Sequence, residues 1–155
     1  MRGKKEKPKI RNDTVRKRKK VPKKATAPNK KIKNARITVI DGIKFRSGLE
    51  AFTYKLLKES GIKCEYEPYS IELIPPFEYN GAKIRGATYK PDFVGEDWII
   101  EVKGFETDAF KIRWKLFKWI LSKSEEQKQF VLFLPKNQQD VRKVIESIVD
   151  KTYKK

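Results

Sequence analysis

Apolar residues recur at helical spacing in three stretches of the chain. The first begins with the capping pattern Ser47-Gly48-Leu49-Glu50 and closes at Gly61, the second begins at Thr107 or Asp108, and the third begins at Asn137. The stripes consist of Leu49, Phe52, Thr53, Leu56 and Leu57 in the first stretch, Phe110, Trp114, Phe117, Ile120 and Leu121 in the second, and Val141, Val144, Ile145 and Ile148 in the third. The pattern predicts three amphipathic helices, each with one face directed toward a core.

Strand-like patterns fill much of the remaining chain. Residues 36–40 and 43–45 flank Asp41-Gly42, a pair typical of a two-residue hairpin turn. Further strands are predicted over residues 63–67, 69–74, 82–89, 92–94, 98–102 and 130–134, with Pro75-Pro76 as an interruption and residues 95–97 as a turn. The order of hairpin, helix, several strands, helix, strand and helix predicts an α/β fold.

Positive charge is concentrated at the N-terminus. The 155 residues include 38 Lys and Arg against 20 Asp and Glu, and residues 1–34 carry 16 of the basic residues against two acidic ones. We therefore predict a disordered basic arm over residues 1–34 and one folded domain over residues 35–155. Within the arm, Arg16, Lys17, Arg18, Lys19 and Lys20 are candidates for contacts with nucleic-acid phosphates, or for a nuclear-localisation patch.

The residue types that are missing exclude several kinds of chemistry. The chain has no histidine and a single cysteine, Cys64, which rules out histidine-metal nucleases, Cys/His zinc sites, Ser-His-Asp triads and an intrachain disulfide. No apolar run approaches the roughly 20 residues needed to span a bilayer. We expect a protein of a reducing compartment, the cytoplasm, with no membrane partner.

The most specific feature is a carboxylate pair with a lysine. Pro91-Asp92 is followed after eight residues by Glu101-Val102-Lys103. Glu101 and Lys103 share one face of the predicted strand, and the intervening turn would place Asp92 beside Glu101. Two neighbouring carboxylates repel each other unless a cation lies between them, and Mg²⁺ accepts such a pair while keeping several waters. Lys103 is then in position to orient an attacking water or to offset charge on a phosphate.

The alternative interpretation of this motif is a surface strand that carries a Glu–Lys pair. Here, however, the charges interrupt the apolar run Trp98-Ile99-Ile100 and Val102, where polar residues need a partner or a function.

Glu50 is a further candidate for metal binding or water positioning. It is also the third helical residue of a capping box with Ser47, and both roles can coexist.

Four short motifs in order resemble the phage endonuclease I family of Holliday-junction resolvases. They are Phe45-Arg46-Ser47-Gly48-Leu49-Glu50, Gly61-Ile62-Lys63 with Glu65-Tyr66-Glu67, Tyr89-Lys90-Pro91-Asp92-Phe93, and Glu101-Val102-Lys103-Gly104. The similarity covers residues 43–104, about 40% of the chain. Residues 75–81 form an added segment, and the chain beyond Gly104 does not match. Residues 39–45 also resemble other small phage proteins of the PD-(D/E)XK superfamily.

The resemblance implies a fold, an activity and a site. The fold would be a restriction-endonuclease-like PD-(D/E)XK core, a mixed central sheet flanked by helices. Glu50, Asp92, Glu101 and Lys103 would form the active site, the three carboxylates would bind Mg²⁺ or Mn²⁺, and an intertwined homodimer would cut branched DNA in recombination. If the protein is phage-encoded, its location would be the cytoplasm of the host cell.

Basic residues outside the arm are further candidates for DNA binding. Arg46, Lys90 and Lys111 are the ones that we predict to contact DNA, and Trp119 lies off the apolar stripe of its helix. Two rival functions stay open. One is a nuclease on the same core that acts on flapped, nicked or linear duplex DNA, and the other is a non-catalytic basic DNA-binding protein.

Overall fold

The computed structural model describes residues 37–125 and 130–154. The compact unit to which they belong runs from Asn34 to Lys155. The predicted basic arm lies outside the described residues, and so do its five candidate DNA-binding residues, Arg16, Lys17, Arg18, Lys19 and Lys20, and Arg36 at the start of the first predicted strand.

All three predicted helices are present. They are α1 (Gly48–Glu59), α2 (Asp108–Leu121) and α3 (Gln138–Val149). Each begins after a capping side chain, of Ser47, Thr107 or Asn137, which accepts a hydrogen bond from a backbone N–H in the first turn. Of the two caps considered for α2, Thr107 is the one used. No helix in residues 37–125 and 130–154 is both long and apolar enough to span a membrane.

Ten short strands accompany the helices in the described part of the chain. They are β1 (Thr38–Ile40), β2 (Ile43–Phe45), β3 (Glu65–Tyr66), β4 (Ile71–Ile74), β5 (Phe77–Tyr79), β6 (Ala82–Ile84), β7 (Ala87–Tyr89), β8 (Phe93–Val94), β9 (Trp98–Ile100) and β10 (Val131–Phe133). Hairpin β1–β2 turns at Asp41 and Gly42, whose φ angles of 52° and 78° are those of the predicted two-residue turn.

The central sheet has the strand order β10-β9-β8-β3. Strand β9 runs parallel to β10 and antiparallel to β8, so the sheet is mixed. Alternation along β9 buries Trp98 and Ile100 in one cluster with Phe45 and Leu57, whereas Ile99 packs into a second cluster with Phe117 of α2. The sheet is therefore buried on both faces, which explains the nearly continuous apolar run of β9. The expected α/β class is confirmed as a mixed α/β fold.

The segment between α1 and β8 departs from the predicted strands. An unpredicted strand, β5, pairs with β6 around a second two-residue turn at Asn80-Gly81. The predicted strand over residues 82–89 is divided into β6 and β7 at Gly86, where a side chain would begin only 2.6 Å from the backbone oxygen of Ile74. β7 then pairs with β4, so the hairpin β5–β6 lies in the chain between the two strands of this antiparallel pair. Hairpin β5–β6 exposes Phe77 and Tyr79.

The strand that carries the Glu101 motif is shorter than predicted. β9 ends at Ile100 rather than Val102. Backbone N–H groups of Glu101 and Lys103 still donate to Phe133 and Pro135 of the neighbouring strand segment, at 3.0 and 3.1 Å. The N–H of Val102 points to the other side and donates to a side chain instead of a strand carbonyl. Regular pairing with β8 therefore stops where the polar residues begin.

Candidate active site

Asp92 and Glu101 are neighbours at the ends of two antiparallel strands. The register pairs Phe93 with Ile100, and the next pair outward is Asp92 and Glu101. Both residues are buried, with 4% and 5% of their surfaces exposed. The spacing argument for a hairpin that brings these two residues together is therefore confirmed.

Asp92 is held by one backbone group and lies near one cation. Its Oδ2 atom accepts a hydrogen bond of 2.8 Å from the N–H of Val102, and its Oδ1 atom lies 3.7 Å from Nη2 of Arg46. Burial raises the pKa of Asp92 well above its ordinary value, and the charges of Glu101 and Glu50 raise it further. The Val102 N–H and Arg46 lower this pKa without cancelling the effect of burial.

Glu101 carries an unsatisfied oxygen. In the described part of the chain, two buried side-chain polar atoms have no hydrogen-bond partner, Oε2 of Glu101 and the hydroxyl of Tyr89. These two groups lie close enough for each to affect the pKa of the other, although they do not form a regular hydrogen bond. Burial raises the pKa of Glu101 to about 7, against the opposing effects of Tyr89 and Lys103. Unpartnered buried acceptors are rare in folded proteins, and a catalytic role or the binding of an ion or a water is among their explanations.

Lys103 lies at the same end of the sheet as Glu101. Its positive charge lowers the pKa of Glu101, and its Nζ atom lies 4.8 Å from the centroid of the Phe110 ring. The side chain is neither buried nor fully exposed. Contact with the aromatic face of α2 holds the ammonium group over the site, as the shared face of Glu101 and Lys103 predicted.

Glu50 performs the capping role and also borders the site. One carboxylate oxygen accepts from the Ser47 hydroxyl at 2.9 Å, and the other accepts from the Arg46 N–H at 3.1 Å and the Tyr66 hydroxyl at 2.7 Å. The side chain is 7% exposed, and its charge raises the pKa of Asp92. Both roles considered for Glu50 are thus compatible with its position, while its role as a metal ligand stays a prediction.

These side chains line one cleft of about 540 Å³. Its charged lining consists of the carboxylates Glu50, Asp92 and Glu101 and the basic residues Arg46, Lys90, Lys103 and Arg113. The structure therefore brings together all four predicted catalytic residues and two of the predicted DNA-binding residues. Lys111 does not line the cleft, and its Nζ atom lies 3.4 Å from Asp108 on the exposed side of α2.

Two charged residues of this region were not among the predicted site residues. Arg113 follows Thr107 and Phe110 at intervals of three, so helical spacing alone places it on the cleft face of α2. Glu67 forms ion pairs with Arg46 and with Lys90, whose Nζ atom lies 3.5 Å from Oε2 of Glu67. No sequence pattern marks these pairs, because Arg46 lies 21 residues before Glu67 and Lys90 lies 23 residues after it.

A family relationship covers most of the described chain. Residues 30–132, about two thirds of the sequence, match the family described as "Protein of unknown function (DUF1064)". The chain belongs to the DUF1064 family. No curated protein and no solved structure matches it. The match of this DUF1064 chain contains every charged residue that lines the cleft.

The site of this DUF1064 member fits a hard divalent cation held by few protein ligands. Within residues 37–125 and 130–154, no three carboxylate or thiol side chains are gathered into a complete metal cage. Asp92 and Glu101 instead form a buried pair with one unpartnered oxygen. Mg²⁺ is commonly bound through one or two carboxylates while several waters remain on the ion. Mn²⁺ prefers the same oxygen donors.

Proposed function

We propose that this chain is a metal-dependent DNA endonuclease with a PD-(D/E)XK core, active on branched DNA. The observation that carries the proposal is the buried pair of Asp92 and Glu101, with an unpartnered Oε2 atom and with Lys103 beside it. Burying two like charges together is strongly unfavourable without a cation. A fold that retains such a pair at the wall of an open cleft is typical of catalysis rather than of packing.

Each group of the site has a separate role in phosphodiester hydrolysis. Asp92 and Glu101 would hold Mg²⁺ or Mn²⁺, with Glu50 as a further ligand or as a positioner of water. A bound ion of this kind makes a water nucleophilic and offsets charge on the phosphate. Lys103 places its ammonium group beside Glu101, where it can orient the water or stabilise the phosphorane charge. In-line attack would leave a 5′-phosphate and a 3′-hydroxyl, as the resemblance to endonuclease I implies.

DNA is supported as the substrate by the charge of the cleft and of the chain. Arg46, Lys90 and Arg113 line the cleft beside the carboxylates, and the chain carries a net charge of +18. The ordered motifs shared with phage resolvases favour a Holliday junction or a similar branch over linear DNA. The same resemblance favours a homodimer, in the cytoplasm of the host cell if the protein is phage-encoded.

The decisive experiment compares a four-way junction with a linear duplex of the same sequence, each incubated with the full chain and Mg²⁺. We expect metal-dependent cleavage that is faster on the junction, and loss of cleavage in Lys103→Ala. The control is Lys143→Ala, which removes an exposed charge from α3 outside the cleft. Equal cleavage by Lys103→Ala and the control would refute the assignment of the active site.

Other outcomes of this experiment identify the rival functions. Equal cutting of both substrates would identify a nuclease that acts on linear duplex DNA. Flapped and nicked DNA can be added as substrates, and faster cutting of either would identify that structure as the preferred one. Tight DNA binding with no cutting in Mg²⁺ or Mn²⁺, lost on deletion of residues 1–34, would identify a non-catalytic binding protein.

A further inference from the structure

Glu67 connects the two basic side chains at one side of the cleft. Its Oε1 atom contacts Nη2 of Arg46, and its Oε2 atom lies 3.5 Å from Nζ of Lys90. Arg46 and Lys90 are themselves well exposed, with 64% and 48% of their side-chain surfaces accessible, whereas Glu67 is only 20% accessible. A largely covered carboxylate thus holds two cations that face the solvent of the cleft.

The backbone of Glu67 is in an unusual conformation. Its φ angle is +47°, in the left-handed region that costs about 1–2 kcal/mol for a residue with a side chain. Asp41 and Asn80 share this region because they begin two-residue hairpin turns, but Glu67 directly follows strand β3. Its N–H donates to the backbone oxygen of Asp92 at 2.8 Å. The strained residue is therefore hydrogen-bonded to the backbone of Asp92, one of the two buried acidic residues.

A structural role does not account well for this arrangement. Ion pairs to side chains as exposed as Arg46 and Lys90 contribute about 0–1 kcal/mol to stability, which does not exceed the strain at Glu67. A glutamate also weakens the attraction of the cleft for a polyanion. Glu67 instead restricts the conformations of Arg46 and Lys90, two long side chains that would otherwise sample many rotamers before binding.

We propose that Glu67 is a positioning residue that fixes Arg46 and Lys90 as a binding site for a DNA phosphate next to the one that is cut. The inference rests on the proposed function insofar as it takes the ligand to be a DNA strand. Arg46 lies 3.7 Å from Asp92, so a phosphate held by this pair would fix the register of the strand against the two carboxylates. Correct register affects the chemical step more than it affects binding.

The test compares Glu67→Gln with Glu65→Gln, which removes the same charge two residues away on an exposed side chain outside the cleft. For Glu67→Gln we expect kcat on the preferred DNA to fall about tenfold, while Kd measured without divalent metal stays within about twofold. A merely structural role would instead lower the thermal midpoint and weaken binding in parallel. Activity of Glu67→Gln equal to that of Glu65→Gln would overturn the proposal.

A double-mutant cycle tests whether Glu67 acts through Arg46. Once Arg46 and Lys90 are both replaced by Ala, the further change Glu67→Gln should have no effect on kcat, whereas independent effects would contradict positioning. If the wild-type chain cuts no DNA, the nuclease proposal fails and the phosphate site is tested on DNA binding alone. In that case Arg46→Ala and Lys90→Ala should each lower the salt slope of binding by about one. Unchanged slopes would overturn the phosphate site itself.

Discussion

The Asp92 carboxylate accepts its hydrogen bond from the backbone N–H of Val102, the residue between Glu101 and Lys103. The Asp92 side chain is thereby attached to the backbone segment that carries Glu101 and Lys103. This hydrogen bond takes the place of the backbone pairing between β8 and β9, which ends at Ile100. Asp92 thus shapes the site as well as supplying a charge to it.

Asp92→Asn separates these two contributions. The amide oxygen can still accept from Val102, so we expect a folded protein whose thermal midpoint without metal is equal to or above that of the wild type, because a buried charge has been removed. Cleavage should fall by about a hundredfold or more, the scale for loss of one electrostatic group in a site. Cleavage rates and thermal midpoints measured side by side check both statements. A folded variant with wild-type cleavage would exclude Asp92 from the chemistry.

Glu101 should make the stability of the metal-free protein depend on pH. Its pKa is about 7 in the folded chain, above its ordinary value of 4.5, so the folded state holds the proton to higher pH. The favourable contribution is complete below pH 4.5 and is lost as the pH rises through 7. Relative to Glu101→Gln, the wild type should therefore lose unfolding free energy as the pH rises from 5 to 8. Urea unfolding with a chelator measures this, and a difference that does not vary with pH would contradict it.

Tyr89→Phe tests whether the hydroxyl beside Glu101 is unpartnered without a ligand. Because the hydroxyl makes no regular hydrogen bond and acts only by favouring the ionised form of Glu101, its removal should change the stability of the metal-free protein by no more than about 1 kcal/mol. The comparison is made by urea unfolding in the presence of a chelator. Destabilisation by more than about 1 kcal/mol would show that the hydroxyl is satisfied in the free protein.

The elements that were predicted correctly are those whose patterns are local. The caps at Ser47 and Asn137, the turn at Asp41-Gly42 and the hairpin before Glu101 each depend on residues a few positions apart. Strand β5 was missed because Pro75-Pro76 directly precedes it and all three of its residues are exposed, which removes the alternation of buried and exposed positions.

The missed parts of the candidate site depend on distant contacts. Glu67 contributes through two ion pairs with residues more than twenty positions away and through a left-handed backbone that no sequence rule assigns to glutamate. The early end of β9 depends on the side chain of Asp92, the residue before β8, which replaces a backbone partner of Val102. Such features are set by tertiary geometry, which single-sequence patterns do not contain.

Metal binding and the role of Glu50 can both be measured by thermal unfolding. A cation that binds only the folded state stabilises it, by about 1.4 kcal/mol at ten times its Kd. We expect Mg²⁺ to raise the thermal midpoint of the wild type and to leave Asp92→Asn and Glu101→Gln unchanged. Glu50→Gln should unfold more easily without metal, because the Glu50 carboxylate accepts three hydrogen bonds.

The Mg²⁺-dependent shift of Glu50→Gln, measured against its own metal-free baseline, then decides between its two roles. A shift as large as that of the wild type would assign Glu50 to capping alone, and a reduced shift would make it a ligand or a support of the bound waters. Na⁺ at matched ionic strength serves as the control, because a general salt effect would raise all variants equally. If Mg²⁺ and Mn²⁺ both fail to shift the wild type, the buried pair of Asp92 and Glu101 does not bind these metals, and the proposed hydrolysis lacks its Lewis acid.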